Sequence, residues 1–270
     1  MKKTIKKIIL IIILFILIIS LITLYKNVQS NLISRKEFEK STISFAKVNA
    51  ENKFSIDKIV LFSSSDCKNK MSSNSNFTIE NLYAYTDIAI FINNNSEKNT
   101  LENTLKNVKI KNIKFTSQPQ EGNAGLYYKS VKEFAKGQID ENNKINDEVQ
   151  FEITSESEAD FSKPILFNNC ANPITLCYIN QNIKTDYTMT DVQNPITYNG
   201  KLLKRCGVSL DKIEASVAFD IEIENNKNQK YTSTVYFDIP YKDGEKYIYD
   251  GNLTVRKATN FNFCPLWDVS

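Results

Sequence analysis

Five cysteines, scattered acids and a complete absence of histidine bound the chemistry open to this chain. Cys170 and Cys177 lie seven positions apart in "NNCANPITLC", around a proline; Cys67, Cys206 and Cys264 stand elsewhere. No pair has the C-x2-C spacing that lets two thiolates grip one metal from a tight turn. No His can complete a ligand set either. Serine–histidine and cysteine–histidine nucleophile pairs are equally ruled out. Carboxylate pairs, Ser–Lys arrangements and tyrosine chemistry remain. Outside a cell disulfides are permitted, and if a bridge forms, Cys170 with Cys206 is the preferred pair. The reading favoured over any bridge is that the thiols are free, buried and pack as small apolar groups. No catalytic, cofactor-binding or metal-binding residue is predicted.

Two acidic runs invite a reading as sites. "DENNKINDE" (140–148) alternates oxygen-bearing side chains, yet lacks the Gly at position six and the Glu at position twelve of a helix–loop–helix calcium site. "ESEAD" (156–160) reads as a linker. Tyr231, Tyr236, Tyr241, Tyr247 and Tyr249 are dense enough for an aromatic strip that stacks on sugars. Tyrosine also favours half-buried strand positions with no ligand. No Gly-rich phosphate loop, nucleophile elbow or C-x-x-C redox pair is present.

The elements that would carry these residues begin with a membrane signal. Lys2, Lys3, Lys6 and Lys7 precede "IILIIILFILIISLITLY" (8–25), a run of 18 residues without charge. At 1.5 Å per residue it reaches roughly 27 Å, enough for a bilayer core. Four lysines before it and Lys26 after it predict a cytoplasmic N-terminus and an extracytoplasmic remainder. The alternative is a cleaved signal peptide ending near Val28-Gln29-Ser30, although signal h-regions are usually shorter, about 7–15 residues. Either way the domain is expected outside the cytoplasm.

Of 34 basic and 31 acidic residues, four lysines lie ahead of the span, leaving 30 against 31 beyond it. That balance offers no concentrated basic field, so no nucleic-acid partner is expected. The Asn-, Lys- and Ile-rich bias suits an AT-rich bacterial genome. The three Asn-x-Ser/Thr triplets, at Asn76, Asn94 and Asn252, are then read as neutral surface.

Beyond the span, 26–52 reads as a helical or flexible stalk, and then the hydrophobic period changes to two. "FSIDKIVLF", "LYAYTDIAIFI", "VKIKNIKF", "EVQFEIT", "ITLCYIN", "DYTMTDV" and "ASVAFDIEIEN" all read as strands. In "VKIKNIKF" the inward parity shifts after Ile110, predicting a bulge at Asn112. "FDIEIENNKNQKYTSTVYFDI" predicts a hairpin with "NNKNQ" as its loop. "KYIYDGNLTVRK" predicts another, turning at Asp250-Gly251. "GKLLKRCGVSLDKI" is helix or wide loop, and "SESEADFSKP" (155–164) is a polar break.

The fold class expected is mainly β: a transmembrane helix, then one or two antiparallel β-sandwich (Ig-like) modules over 53–155 and 160–270. An N-terminal apolar helix running into a β-domain resembles type IV pilin-like subunits. Those carry a Gly-Phe processing site before the span and a Glu near its start. Here Lys7 precedes Ile8, and Ile12 stands roughly where the acid would be. The resemblance covers about 50 residues and implies, as an alternative role, a pilin-like assembly subunit.

The leading functional expectation is a single-pass, membrane-anchored bacterial protein that displays a binding or structural module to an envelope protein or glycan, without enzymatic activity or cofactor. The alternative from another class is an exported hydrolase or peptidase using carboxylates.

Overall fold

In a computed structural model, residues 2–49, 53–67, 77–95, 100–134, 139–189, 201–240, 247–258 and 263–265 are described. The chain divides into two units, 1–51 and 52–270.

The first unit is one continuous helix, α1 (Lys2–Asn49), 48 residues long. It has no Gly or Pro to break it, and straight-chain and branched apolar residues propagate helix through 8–25. The stalk expected at 26–52 is therefore helical as far as Asn49, while 50–52 lie outside the described residues. By length and composition α1 can cross a membrane. All side chains over 13–40 are exposed.

The second unit is mainly β. Its elements are β1 (Phe54–Cys67), β2 (Phe77–Asn94), β3 (Leu105–Ser117), β4 (Asn123–Tyr128), β5 (Val149–Thr154), β6 (Ile165–Phe167) and β7 (Ile174–Met189). Two short helices come next, α2 (Lys201–Arg205) and α3 (Leu210–Ile213). The last strands are β8 (Ala215–Asn225), β9 (Lys230–Ile239), β10 (Leu253–Ala258) and β11 (Cys264–Pro265).

The strands form two sheets, a five-stranded one in the order β10-β1-β2-β7-β4 and a six-stranded one in the order β11-β9-β8-β3-β5-β6. All pairings are antiparallel except β5 with β6. The sheets meet through ring contacts: Phe54 with Tyr231, Phe115 with Tyr178, and Tyr128 with Phe151, at centroid separations of 6.0–6.2 Å.

The polar break at 155–164 does not separate two modules. β2 pairs with β7, β1 with β10, and β3 with β8, so strands from both sides of the break interleave in both sheets. Residues 52–270 are one compact unit.

Local patterns hold where they are strongest. Strand β8 alternates strictly, with Val217, Phe219, Ile221 and Ile223 buried and the residues between them half-exposed. It pairs with β9 through the expected loop at 225–229. The bulge in β3 falls where parity placed it: the register shifts between Lys111 and Lys114, and Asn112 takes φ 55°. The expected strands "ITLCYIN" and "DYTMTDV" are largely one element, β7.

One hairpin is corrected. Ile248–Asp250 is a 3-10 turn, Gly251 has φ 126°, and β10 pairs with β1 while the described residues 247–250 before it form no strand. The Asp250 carboxylate accepts from the Tyr247 backbone N–H at 3.2 Å, and Ile248 is buried in the cluster formed with α2. Those tertiary contacts outweigh the Asp-Gly turn preference.

Candidate functional site

Strand β2 is buried on both faces from Leu82 to Ile90, and the sheet face that carries Tyr127 and Cys177 is covered in part by Ile139 and the segment at Glu141. On that covered face Phe62, Asp87, Cys177 and Tyr127 form one row across β1, β2, β7 and β4. Tyr83 and Tyr85 lie four and two residues before Asp87 on the same face, by strand periodicity. With Ile179, Phe62 and Ile139 these rings make one cluster around Cys177. Glu141 holds the covering segment in place, accepting hydrogen bonds from Tyr127 Oη (3.1 Å) and from Gln181 Nε2 (2.6 Å).

Asp87 is the acid in this apolar setting. Its Oδ1 lies 2.6 Å from Nζ of Lys129, the residue just after β4, and the two side chains are 1% and 2% exposed. Lys129 Nζ also stands 4.9 Å from the Tyr85 ring centroid, over its electron-rich face. Cys177 stands directly opposite Asp87 in the β2–β7 register, and its thiol donates to the Tyr178 carbonyl oxygen at 3.3 Å. Burial first, then the Asp87 charge, pushes that thiol well above its usual range. A thiol so held is a poor nucleophile at neutral pH.

The tyrosines beside it are held neutral. Burial, with the Asp87 and Asp66 charges, outweighs the Ser64 hydrogen bond and pushes Tyr85 up to about 12. Tyr83 is raised chiefly by burial and then by the nearby Asp66 charge.

The outer face of the other sheet is different in kind. Lys106 meets Glu224 at 2.6 Å, Lys109 meets Glu148 at 2.8 Å, and Lys111 bonds Glu222. Asp220 accepts from Asn112 Nδ2 (2.7 Å) and Thr234 Oγ1 (2.6 Å). Asn112, Lys114, Ala218, Asp220 and Thr234 line a shallow depression of about 400 Å³. Tyr236, 57% exposed, stands on the same face by strand alternation.

The residues singled out from sequence are dispersed. Cys170 and Cys206 are not joined; each carries a thiol. Cys170 sits in the turn after β6 with φ 63°, and burial pushes it up to about 12. Cys206 directly succeeds α2 and packs on the cluster that contains Cys67; burial pushes it up to about 11. Of the tyrosine set, Tyr231 is buried, Tyr236 exposed, and Tyr247 and Tyr249 half-buried, while Tyr241 lies outside the described residues. The four described tyrosines make no single strip. The run 140–148 carries a 3-10 turn at Glu141–Asn143, and "ESEAD" another at Glu156–Glu158. Among the described residues no three Cys, Asp or Glu side chains are grouped to hold a metal.

Sequence reasoning missed the Asp87–Lys129 pair. The signal was one acid inside "YTDIAIFI", where a buried charge demands a partner. Which of 34 basic residues supplies it depends on strand order.

No protein-family model, curated protein or solved structure matches the chain.

Proposed function

We propose that this protein is a single-pass envelope protein, anchored by the apolar part of α1 with its N-terminus in the cytoplasm, whose β-domain works outside the membrane as a binding or structural module. In this reading the two sheets are the layers of one β-sandwich. The observation that carries the proposal is the joining of an exposed, uncharged helical run, preceded by four lysines, to a compact β unit. An exposed helix that is apolar all round suits lipid better than water, and the lysine bias sets its direction.

The outer face of β3, β8 and β9 suits contact with an envelope protein or glycan. It is mixed in charge and polar, with Tyr236 offering an exposed ring beside a shallow depression. Its acids are engaged by lysine, asparagine and threonine side chains on the same sheet, an arrangement better suited to a surface than to acid–base work.

Protease shaving tests the topology. Added to intact protoplasts, protease should remove the domain beyond Lys26 and leave a membrane-embedded stub. A domain fully protected until lysis would refute the proposal.

A further inference from the structure

The Lys129–Asp87 contact is unlike any other ion pair among the described residues. In the others each partner keeps at least 16% of its side chain exposed, whereas here both are at 2% or less. Two charges withdrawn from water in this way lose much of their hydration, and their mutual attraction often fails to repay it. Beside the pair lie the Tyr85 ring face and the aromatic cluster around Cys177. An amine and a carboxyl group are thus pressed together, in register, where water is excluded.

We propose that Lys129 and Asp87 are the two halves of an intramolecular isopeptide cross-link, with Nζ of Lys129 bonded to Cγ of Asp87. The reaction starts from ammonium and carboxylate. One proton crosses the 2.6 Å Nζ–Oδ1 hydrogen bond, giving a neutral amine and a carboxylic acid. The nitrogen lone pair attacks Cγ, and the N–C bond forms. A second proton leaves nitrogen for the hydroxyl, the C–O bond breaks, and one water departs. Charge and atoms balance without oxidant, reductant or nucleotide.

In bulk water, hydrolysis opposes such a condensation. Here the fold supplies the missing driving force. Groups fixed in contact react as if at effective concentrations of roughly 10⁵–10⁸ M, and a neutral amide replaces two desolvated ions. The Tyr85 ring holds Nζ in place.

The link would tie the centre of β2 to the end of β4 across the intervening β7, closing the segment 87–129 covalently. Such a closure removes conformational freedom from the unfolded chain as a disulfide does. It would do so in a domain where Cys67, Cys170, Cys177 and Cys206 carry thiols rather than disulfides.

Peptide mass spectrometry of the full chain, purified in detergent and digested with trypsin under denaturing conditions, tests this. The expected species is a branched peptide joining 71–98 to 115–132, lighter than the sum of the two by one water, with trypsin failing to cut after Lys129. Intact mass alone does not decide, because succinimide formation at Asp250-Gly251 also releases one water. Lys129→Arg keeps a cation in place but has no amine that condenses, and should yield only linear peptides. The paired variant Asp87→Leu with Lys129→Met, which leaves no orphan charge, should do the same while remaining folded. Full recovery of linear 71–98 and 115–129 from wild-type protein held for a day at neutral pH would overturn the proposal.

Discussion

The side-chain amide of Asn225 donates a hydrogen bond to the backbone carbonyl of Glu102 at 2.7 Å, joining the β8–β9 loop to the turn that enters β3. Asn225 is fully buried. Its Oδ1 also accepts from the backbone N–H of Lys227 (3.0 Å) and of Gln229 (2.9 Å). Asn225→Ala strands two N–H groups and one carbonyl, and should cost about 2–4 kcal/mol. Urea unfolding should show a lower midpoint with an unchanged slope. A loss under about 0.5 kcal/mol would mean that water replaces the amide without penalty.

Two glycines with positive φ should respond unequally to alanine. At Gly122 (φ 90°) a Cβ would overlap Asn180 Oδ1 and come within 2.7 Å of the Gln181 carbonyl oxygen. At Gly251 (φ 126°) it would meet nothing within 4 Å. Gly251→Ala therefore carries backbone strain alone, about 1–3 kcal/mol. Gly122→Ala adds a clash against β7, the partner of both β2 and β4, and should be the more destabilising by at least about 1 kcal/mol. Equal thermal shifts for the two variants would contradict this.

The thiols should be sluggish toward iodoacetamide. With Cys206 pushed up to about 11, the thiolate fraction at pH 7.5 is roughly one part in three thousand. Cys170 is pushed up to about 12, and Cys177 is fully enclosed. Labelling of the folded protein should be slow at neutral pH and speed up above about pH 10 at Cys206 first. Rapid labelling of Cys206 alone at neutral pH would revive a nucleophilic role.

Asp66 gives a pH signature. Burial raises it above the usual carboxylate range, although the Cys67 backbone N–H (2.7 Å) and the Tyr83 hydroxyl pull the other way. The folded state thus favours the protonated acid. Its contribution to stability is greatest below the unfolded value, near pH 4, and is lost as pH rises through the folded value. Asp66→Asn keeps the acceptor without the charge. It should raise the melting temperature modestly at pH 7, with the gain vanishing toward pH 4. A gain that grows on acidification would reverse the sign of this argument.

Features that depend on a few neighbouring residues were legible in the sequence. The period-two pattern of "ASVAFDIEIEN" fixed both the strand and its buried face, because alternation is a property of the strand itself. The bulge at Asn112 and the loop at 225–229 were visible as a break in parity and as a polar gap between two β-rich runs. At Asp250-Gly251 the same kind of signal failed. There the preference of two residues for a tight turn competed with burial of Ile248 beside α2, and burial prevailed.

By itself, the amino-acid sequence determined the uncharged run that makes α1 able to span a bilayer, the β character of the chain beyond residue 53, and the absence of histidine chemistry. These rest on composition and short-range period, which no distant contact can alter. Only the tertiary structure decided that 53–155 and 160–270 interleave into one unit, that Cys206 lies by Cys67 and not by Cys170, and that Lys129 meets Asp87. Each of these depends on strand order and register across residues far apart in the chain. A one-residue slip in register would turn Asp87 to the opposite face of its sheet, away from Lys129.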